Sequence, residues 1–242
     1  IGCEVSLNMP GQKAINDSSR VVLLALNHTG YLNLSTLLTK YWVVPDEKSH
    51  PLLSWEDLKN HAQGLLFLSG GQFGPLGQAL KSGQPHQAEE LALDIGQVFP
   101  GRFYIELQRC GRADEENYIA QAVELAAKLQ LPVVATHPVQ YLNAEDFEAH
   151  EARVCIANGE ILGNPKRPRR FTQSQFFLSQ SQMQEQFKDI PSAIENAFAI
   201  AQRCNLNFVL GRPQLPAFPT PLVQGQRLPV EDYFRELSFE GL

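Results

Sequence analysis

The sequence predicts an α/β fold with a parallel sheet or barrel, and three observations carry that prediction. Short apolar runs end abruptly in turn residues at 20–26 (RVVLLAL) and 64–71 (GLLFLSGG), as buried parallel strands do. A third run at 102–107 (RFYIEL) leads into a helical pattern, and a fourth run follows at 133–136 (VVAT). Strand, helix and strand in this order form a βαβ unit, whose right-handed crossover makes the two strands parallel.

Along the chain, residues 1–7 (IGCEVSL) read as a strand. The glycine cluster at 69–77 (SGGQFGPLG) follows the 64–71 run, yet lacks the Gly-Lys-Ser/Thr ending of a phosphate loop and the G-x-G-x-x-G spacing of a dinucleotide site. A plain strand-to-helix turn is the expectation there. The helix after 102–107 takes Asp114 as its N-cap, with Glu115 and Glu116 facing the positive end of the helix dipole. Ile119, Ala122, Val123, Ala126 and Leu129 form its apolar stripe, and Pro132 ends it. After Gly159 the character changes. Residues 164–171 (NPKRPRRF) read as a basic loop, and a second helix runs from about 190 to 204 with Ile194, Ala197, Phe198 and Ala201 on one face. The prolines of 211–221 (GRPQLPAFPTP) exclude helix and central strand, leaving an extended connector, and 230–242 (VEDYFRELSFEGL) opens as a helix.

Composition excludes several function classes. The 242 residues are 43% hydrophobic and 19% charged, ordinary for a folded chain. A net charge of -6 excludes a globally cationic nucleic-acid binder and leaves room only for a local basic patch. Cys3, Cys110, Cys155 and Cys204 stand far apart, so reduced thiols in a cytoplasmic protein are expected rather than a disulfide framework or zinc finger. No apolar run has the length of a membrane span and no signal-peptide pattern opens the chain, so no membrane partner is expected. The first residue is Ile1 rather than Met, which points to a piece of a longer polypeptide.

The stretch 133–142 (VVATHPVQYL) places Thr136, His137 and Gln140 at the carboxyl end of a strand, where α/β proteins keep their chemistry. Glu106, late in its own strand, could join Glu4 and His137 in a carboxylate–imidazole cluster. It could equally hydrogen-bond neighbouring backbone amides, and the residues alone leave the two open. Lys166, Arg167, Arg169 and Arg170 place four cations within five residues, enough to touch phosphates, although such a run is more often a solvated loop. Phe171, Phe176 and Phe177 read as anchors of that loop rather than base-stacking platforms. His28, His50, His61, His86 and His150 occur singly, without the spacing of a metal site.

Taken together, IGCEVSL, VVLLALNHTGYLNL, LLFLSGG, the continuous stretch from FYIELQRCGR to VVATHPVQYL, DFEAHEARVCIANG, PKRPRRF, DIPSAIENAFAIAQRCN and LPAFPTP follow one another in a familiar order. The chain resembles the amino-terminal part of the bacterial replicative DNA polymerase III alpha subunits, family C. The resemblance implies a PHP domain over 1–211, a distorted (β/α)7 barrel incomplete at its amino terminus, with an early H-x-H motif lying before Ile1. Residues 212–242 would be a connector and the beginning of the polymerase palm. Active PHP domains hold a trinuclear metal cluster that activates water for phosphoester hydrolysis.

Against that family pattern the metal positions here are Glu4, Arg20, Gly71, Pro138 and Gln140. Only Glu4 keeps a competent group, since Arg20 replaces a histidine, Gly71 a cysteine, Pro138 an aspartate and Gln140 a histidine. His137 falls one position early. The resemblance therefore implies a metal-free relic with no catalytic residue in this chain, no cofactor of its own, and Mg²⁺ only in a downstream palm. As a whole polypeptide it implies a DNA-directed DNA polymerase acting in DNA replication. The partners implied are DNA, the proofreading exonuclease subunit docked on the PHP platform, and other holoenzyme subunits. The alternative is a metal-dependent PHP phosphoesterase or exonuclease using Glu4, His137 and upstream residues. A free-standing α/β binding protein is the third reading.

Overall fold

Alternating side chains build a six-stranded mixed sheet in the computed structural model, which describes residues 1–10, 19–43, 52–213 and 217–242. His50 lies outside the described residues. The chain forms two units, Ile1–Leu206 and Asn207–Leu242. In the first, β1 (Gly2–Asn8) and β2 (Ser19–Ala25) precede α1 (His28–Val43). There follow β3 (Leu53–Ser54), α2 (Trp55–Asn60), β4 (Leu65–Leu68), α3 (Pro75–Lys81) and α4 (Pro85–Val98). Next come β5 (Phe103–Gln108), α5 (Glu115–Leu129), β6 (Val133–Thr136), α6 (Phe147–Asn158), α7 (Gln180–Gln186) and α8 (Pro191–Arg203).

The strand order is β3-β1-β2-β4-β5-β6. β5 and β6 pair in parallel, with Glu106 opposite Val134 and Gln108 opposite Thr136, and α5 joins them as the βαβ reading requires. β4 is parallel to β5, but β2 runs antiparallel to both β1 and β4. The run at 20–26 is thus not a parallel strand. Its apolar continuity reports apolar contact on both faces, with Val21, Leu23 and Ala25 buried and Val22 and Leu24 partly buried, which is independent of direction.

Period-two alternation splits the sheet into two faces. Val21, Leu23, Phe67, Phe103, Ile105, Leu107, Val133 and Ala135 point to the larger core, packed by buried residues of α1 to α5. Leu66, Leu68, Tyr104 and Val134 point the other way and meet Ile200 of α8, with Val22, Leu24, Ala197 and Cys204 partly buried beside them. The buried stripe of α8 is therefore Ala193, Ala197 and Ile200. Phe198, which the sequence places on the buried face, is 67% exposed, and Ala201 is exposed as well.

The second unit begins irregularly, in keeping with its prolines. A two-residue hairpin joins β7 (Leu222–Val223) to β8 (Gln226–Arg227) through Gln224 and Gly225, both at positive φ, as the favoured hairpin turn requires. The amphipathic helix α9 (Val230–Glu240) follows, its Tyr233 ring stacked on Phe218. Among the described residues no helix is long and apolar enough to cross a membrane.

Candidate functional site

The face of the sheet covered by α8 runs on, past its apolar residues, into a polar group at one end. Alternation carries Tyr104 to Glu106 and Gln108, and Val134 to Thr136. Because β2 is antiparallel to β4, its first residues, with Arg20, lie beside the carboxyl end of β4. Gly70 follows Leu68 there at φ 78, and a Cβ on it would overlap the Arg20 carbonyl oxygen. Only glycine fits both the turn and the close approach. The glycine cluster is thus the expected strand-to-helix turn, a 3₁₀ turn at Gly71–Phe73 leading into α3.

Glu106 is 2% exposed, and its carboxylate is fully engaged. Oε2 accepts from the Gly70 amide at 3.0 Å, while Oε1 accepts from Gln108 Nε2 at 3.0 Å and from the Thr136 hydroxyl. Its own amide donates to Ser69 Oγ at 2.9 Å, and Tyr118 donates to its carbonyl at 2.8 Å. Burial pushes the Glu106 pKa above the usual carboxylate range, with the donors from Thr136, Gln108 and Gly70 opposing that rise. Gln108 passes the network outward, since its Oε1 accepts from Arg112 at 2.9 Å. The guanidinium groups of Arg20 and Arg112 lie 5.5 and 4.9 Å from the Phe73 ring centroid. Arg20 also reaches Glu4 at 3.4 Å, a solvent-exposed pair.

The three groups the sequence left undecided have different partners, although the Glu4 charge still reaches Glu106 and adds to the rise of its pKa. Glu106 bonds a backbone amide and two side chains, Glu4 faces Arg20, and His137 stands apart. The half-buried ring of His137 lies among the backbone of Ser174, Phe176 and Arg109, and burial lowers its pKa while those backbone groups oppose the shift. Pro138 and Gln140 belong to a backbone clasp. Gln175, fully buried, donates from Nε2 to the Pro138 carbonyl at 3.0 Å and accepts the Gln140 amide on its own carbonyl at 2.8 Å. Its Oε1 takes the Thr172 amide at 2.9 Å. Sequence reasoning missed this residue because a buried glutamine inside a glutamine- and serine-rich stretch carries no pattern.

A multinuclear metal centre requires several anionic or imidazole donors converging with open positions. Here Gly71 and Pro138 offer no donor, Arg20 brings a fixed cation, and both oxygens of Glu106 are occupied. Among the described residues no group of three or more His, Cys, Asp or Glu side chains could hold a metal. The described residues Arg20, Gly71 and Pro138 add no anionic or imidazole donor at this end of the sheet.

The basic loop is divided by burial. Arg167 turns inward, its side chain 5% exposed, and pairs with Glu151 of α6, itself 3% exposed. It is therefore not a phosphate contact. Lys166, Arg169 and Arg170 are exposed, with Arg170 3.4 Å from Glu160. Asp114 also departs from expectation: it sits at φ 60 without a capping hydrogen bond. Glu115 is turned back, its carboxylate accepting the amides of Cys110 and Arg112. Arg109 grips Glu116 at 2.8 Å, Asp189 at 2.6 Å and the Gln186 carbonyl at 2.6 Å.

Residues 1–110 match the PHP domain family. The chain is similar to part of the bacterial DNA polymerase III alpha subunits. It is 40% identical over 240 residues to the DNA polymerase III subunit alpha of Pseudomonas aeruginosa, covering 99% of this chain. Against that of Neisseria meningitidis serogroup A the identity is 47% over 226 residues, or 92% of this chain. Against that of Escherichia coli K12 it is 40% over 227 residues, or 94%. The chain spans about one fifth of the length of these relatives, 20%, 19% and 19% respectively.

Proposed function

We propose that this chain is the PHP region of a replicative DNA polymerase, a DNA-directed DNA polymerase whose nucleotidyl-transfer carboxylates and Mg²⁺ lie in a palm domain downstream. The observation that supports this best is the breadth of the likeness: alpha subunits align over 92–99% of the chain, across both structural units. The Asn207–Leu242 unit would then be the connector and the beginning of the palm.

Within that polymerase the PHP domain acts as a metal-free platform. Supporting this, the Glu106–Gln108–Arg112 network and the Arg20–Glu4 pair fill the sheet end with satisfied or cationic groups. A structural role leaves proofreading to a separate exonuclease subunit, which docks on this platform. Two measurements test it. Metal analysis after dialysis should find no stoichiometric Zn²⁺, Mn²⁺ or Fe; metal present in the wild type and lost in Glu4→Ala would overturn the metal-free reading. Deleting the PHP domain from the whole subunit should abolish capture of the exonuclease subunit, and unchanged capture would overturn the docking role.

A further inference from the structure

Four cations in 164–171 are divided by the fold into one that is hidden and three that are displayed. Arg167 is buried against Glu151, which holds its guanidinium in the charged form. Its Nε also reaches toward the Leu162 carbonyl at 3.3 Å, and its amide donates to the Asn164 carbonyl at 3.3 Å. Asn164 Oδ1 in turn accepts the Lys166 amide at 3.0 Å. Pro165 and Pro168 fix φ on either side. At the far end Phe171 packs edge-on against His150 at 4.7 Å, and Thr172 binds the Cys110 carbonyl. A loop that merely carries solvated charge has no need of a buried ion pair, whose desolvation is costly. Here that pair fixes the backbone that presents Lys166, Arg169 and Arg170 to solvent.

We propose that Lys166, Arg169 and Arg170 form a binding site for the phosphodiester backbone of DNA. The ligand class follows from what the loop offers. It presents three exposed cations in a chain of net charge -6, so the attraction is local and oriented. Within 164–171 it presents no exposed aromatic ring, because Phe171 is half-buried against His150 and the exposed Phe177 lies beyond the loop, so the three cations offer phosphate contacts rather than a stacking platform. Contacts are to phosphates alone, independent of base sequence. Glu160 tempers the site by its pairing with Arg170. Neither the metal-free platform nor the docking of an exonuclease requires this site, so it stands or falls separately from them.

The test is fluorescence anisotropy of end-labelled DNA, duplex and single-stranded, in two unrelated sequences, titrated with the chain across a range of salt. The triple variant Lys166→Gln/Arg169→Gln/Arg170→Gln should weaken binding about tenfold or more at low salt. Its plot of log affinity against log salt should be shallower by about two to three, one unit per lost phosphate contact. Glu160→Gln, which frees Arg170, should tighten binding. Arg167 stays intact throughout, and matched thermal melts show that the loop is still anchored. Wild-type chain that does not bind DNA, or a triple variant with unchanged affinity and salt slope, overturns the proposal. So does equal competition by polyglutamate, which would mark an acidic protein surface as the ligand, or by inorganic phosphate at matched charge.

Discussion

Glu106 holds a carboxylate where water does not reach it, and its hydrogen bonds make the consequence measurable. Burial raises its pKa above the ordinary 4.5. An acid with a higher pKa when folded binds more protons in the folded state, so its contribution is fully present below the unfolded pKa and is lost as pH rises through the folded one. Glu106→Gln keeps the shape but sets an amide against the Gly70 amide, at a cost of about 1–3 kcal/mol. Urea melts at several pH values should show the wild type's advantage over Glu106→Gln shrinking from about pH 4.5 upward, and a pH-independent difference would refute the linkage. The Arg167–Glu151 pair makes a second prediction. Arg167→Met or Glu151→Gln alone strands a buried polar or charged partner, whereas Arg167→Met with Glu151→Leu removes both. Each single variant should therefore lower Tm more than the double, and additive losses would mean the pair is not coupled. None of this pairing is legible in sequence, where Arg167 looks like its neighbours Lys166 and Arg169. What separates them is a partner sixteen residues upstream on α6.

At the scale of elements, β5, α5 and β6 were readable because local signals agreed: an apolar run, a helical stripe and a proline stop. The start of α5 was misread for a physical reason. A capping residue and an acidic first turn predict the helix correctly, yet tertiary contacts decide what the side chains do. Glu115 turns back to satisfy loop amides and Arg109 clasps Glu116 and Asp189, tying the end of β5 to α5 and to the turn before α8. Arg109 lies over the Phe187 ring at 5.1 Å, so the clasp is backed by packing. Both carboxylates are solvent-exposed, which screens the charge. Arg109→Ala should thus cost about 1–2 kcal/mol rather than the full value of its several hydrogen bonds. Arg109→Lys should recover little, because an ammonium cannot span both carboxylates as the fork does. Thermal melts of the two variants decide this, and full rescue by lysine would reduce the clasp to simple charge. The antiparallel direction of β2 and the outward turn of Phe198 were equally hidden, since apolar runs and stripes state burial but not its partner.

Within the Ile1–Leu206 unit the described sheet ends in β3 on one side and β6 on the other. After β6, Tyr141 and Phe176 form an isolated parallel bridge, and the Phe177 amide donates to the Tyr141 carbonyl at 3.1 Å. Among the described residues, β3 pairs with β1 only through Leu7 and Asn8. β1 inserts Val5 and Leu7 into the larger core, while among the described residues its outer edge meets only the two-residue β3. An edge strand in that condition is a template for another chain, and its own side chains set how strongly it is used. Glu4 and Arg20 neutralise one another on the adjoining face, so that pair offers no net charge to keep copies apart. The chain is therefore expected to self-associate with rising concentration through β1. Light scattering coupled to sizing should show a mass that grows with loading, and hydrogen exchange should slow at Gly2–Asn8 as it does. A Glu4→Lys variant replaces the neutral pair with two like charges on the exposed face of β1 and should shift the equilibrium toward monomer. Wild-type chain that stays monomeric over the whole concentration range, with β1 amides exchanging at a constant rate, would show that β3 alone suffices to protect this edge.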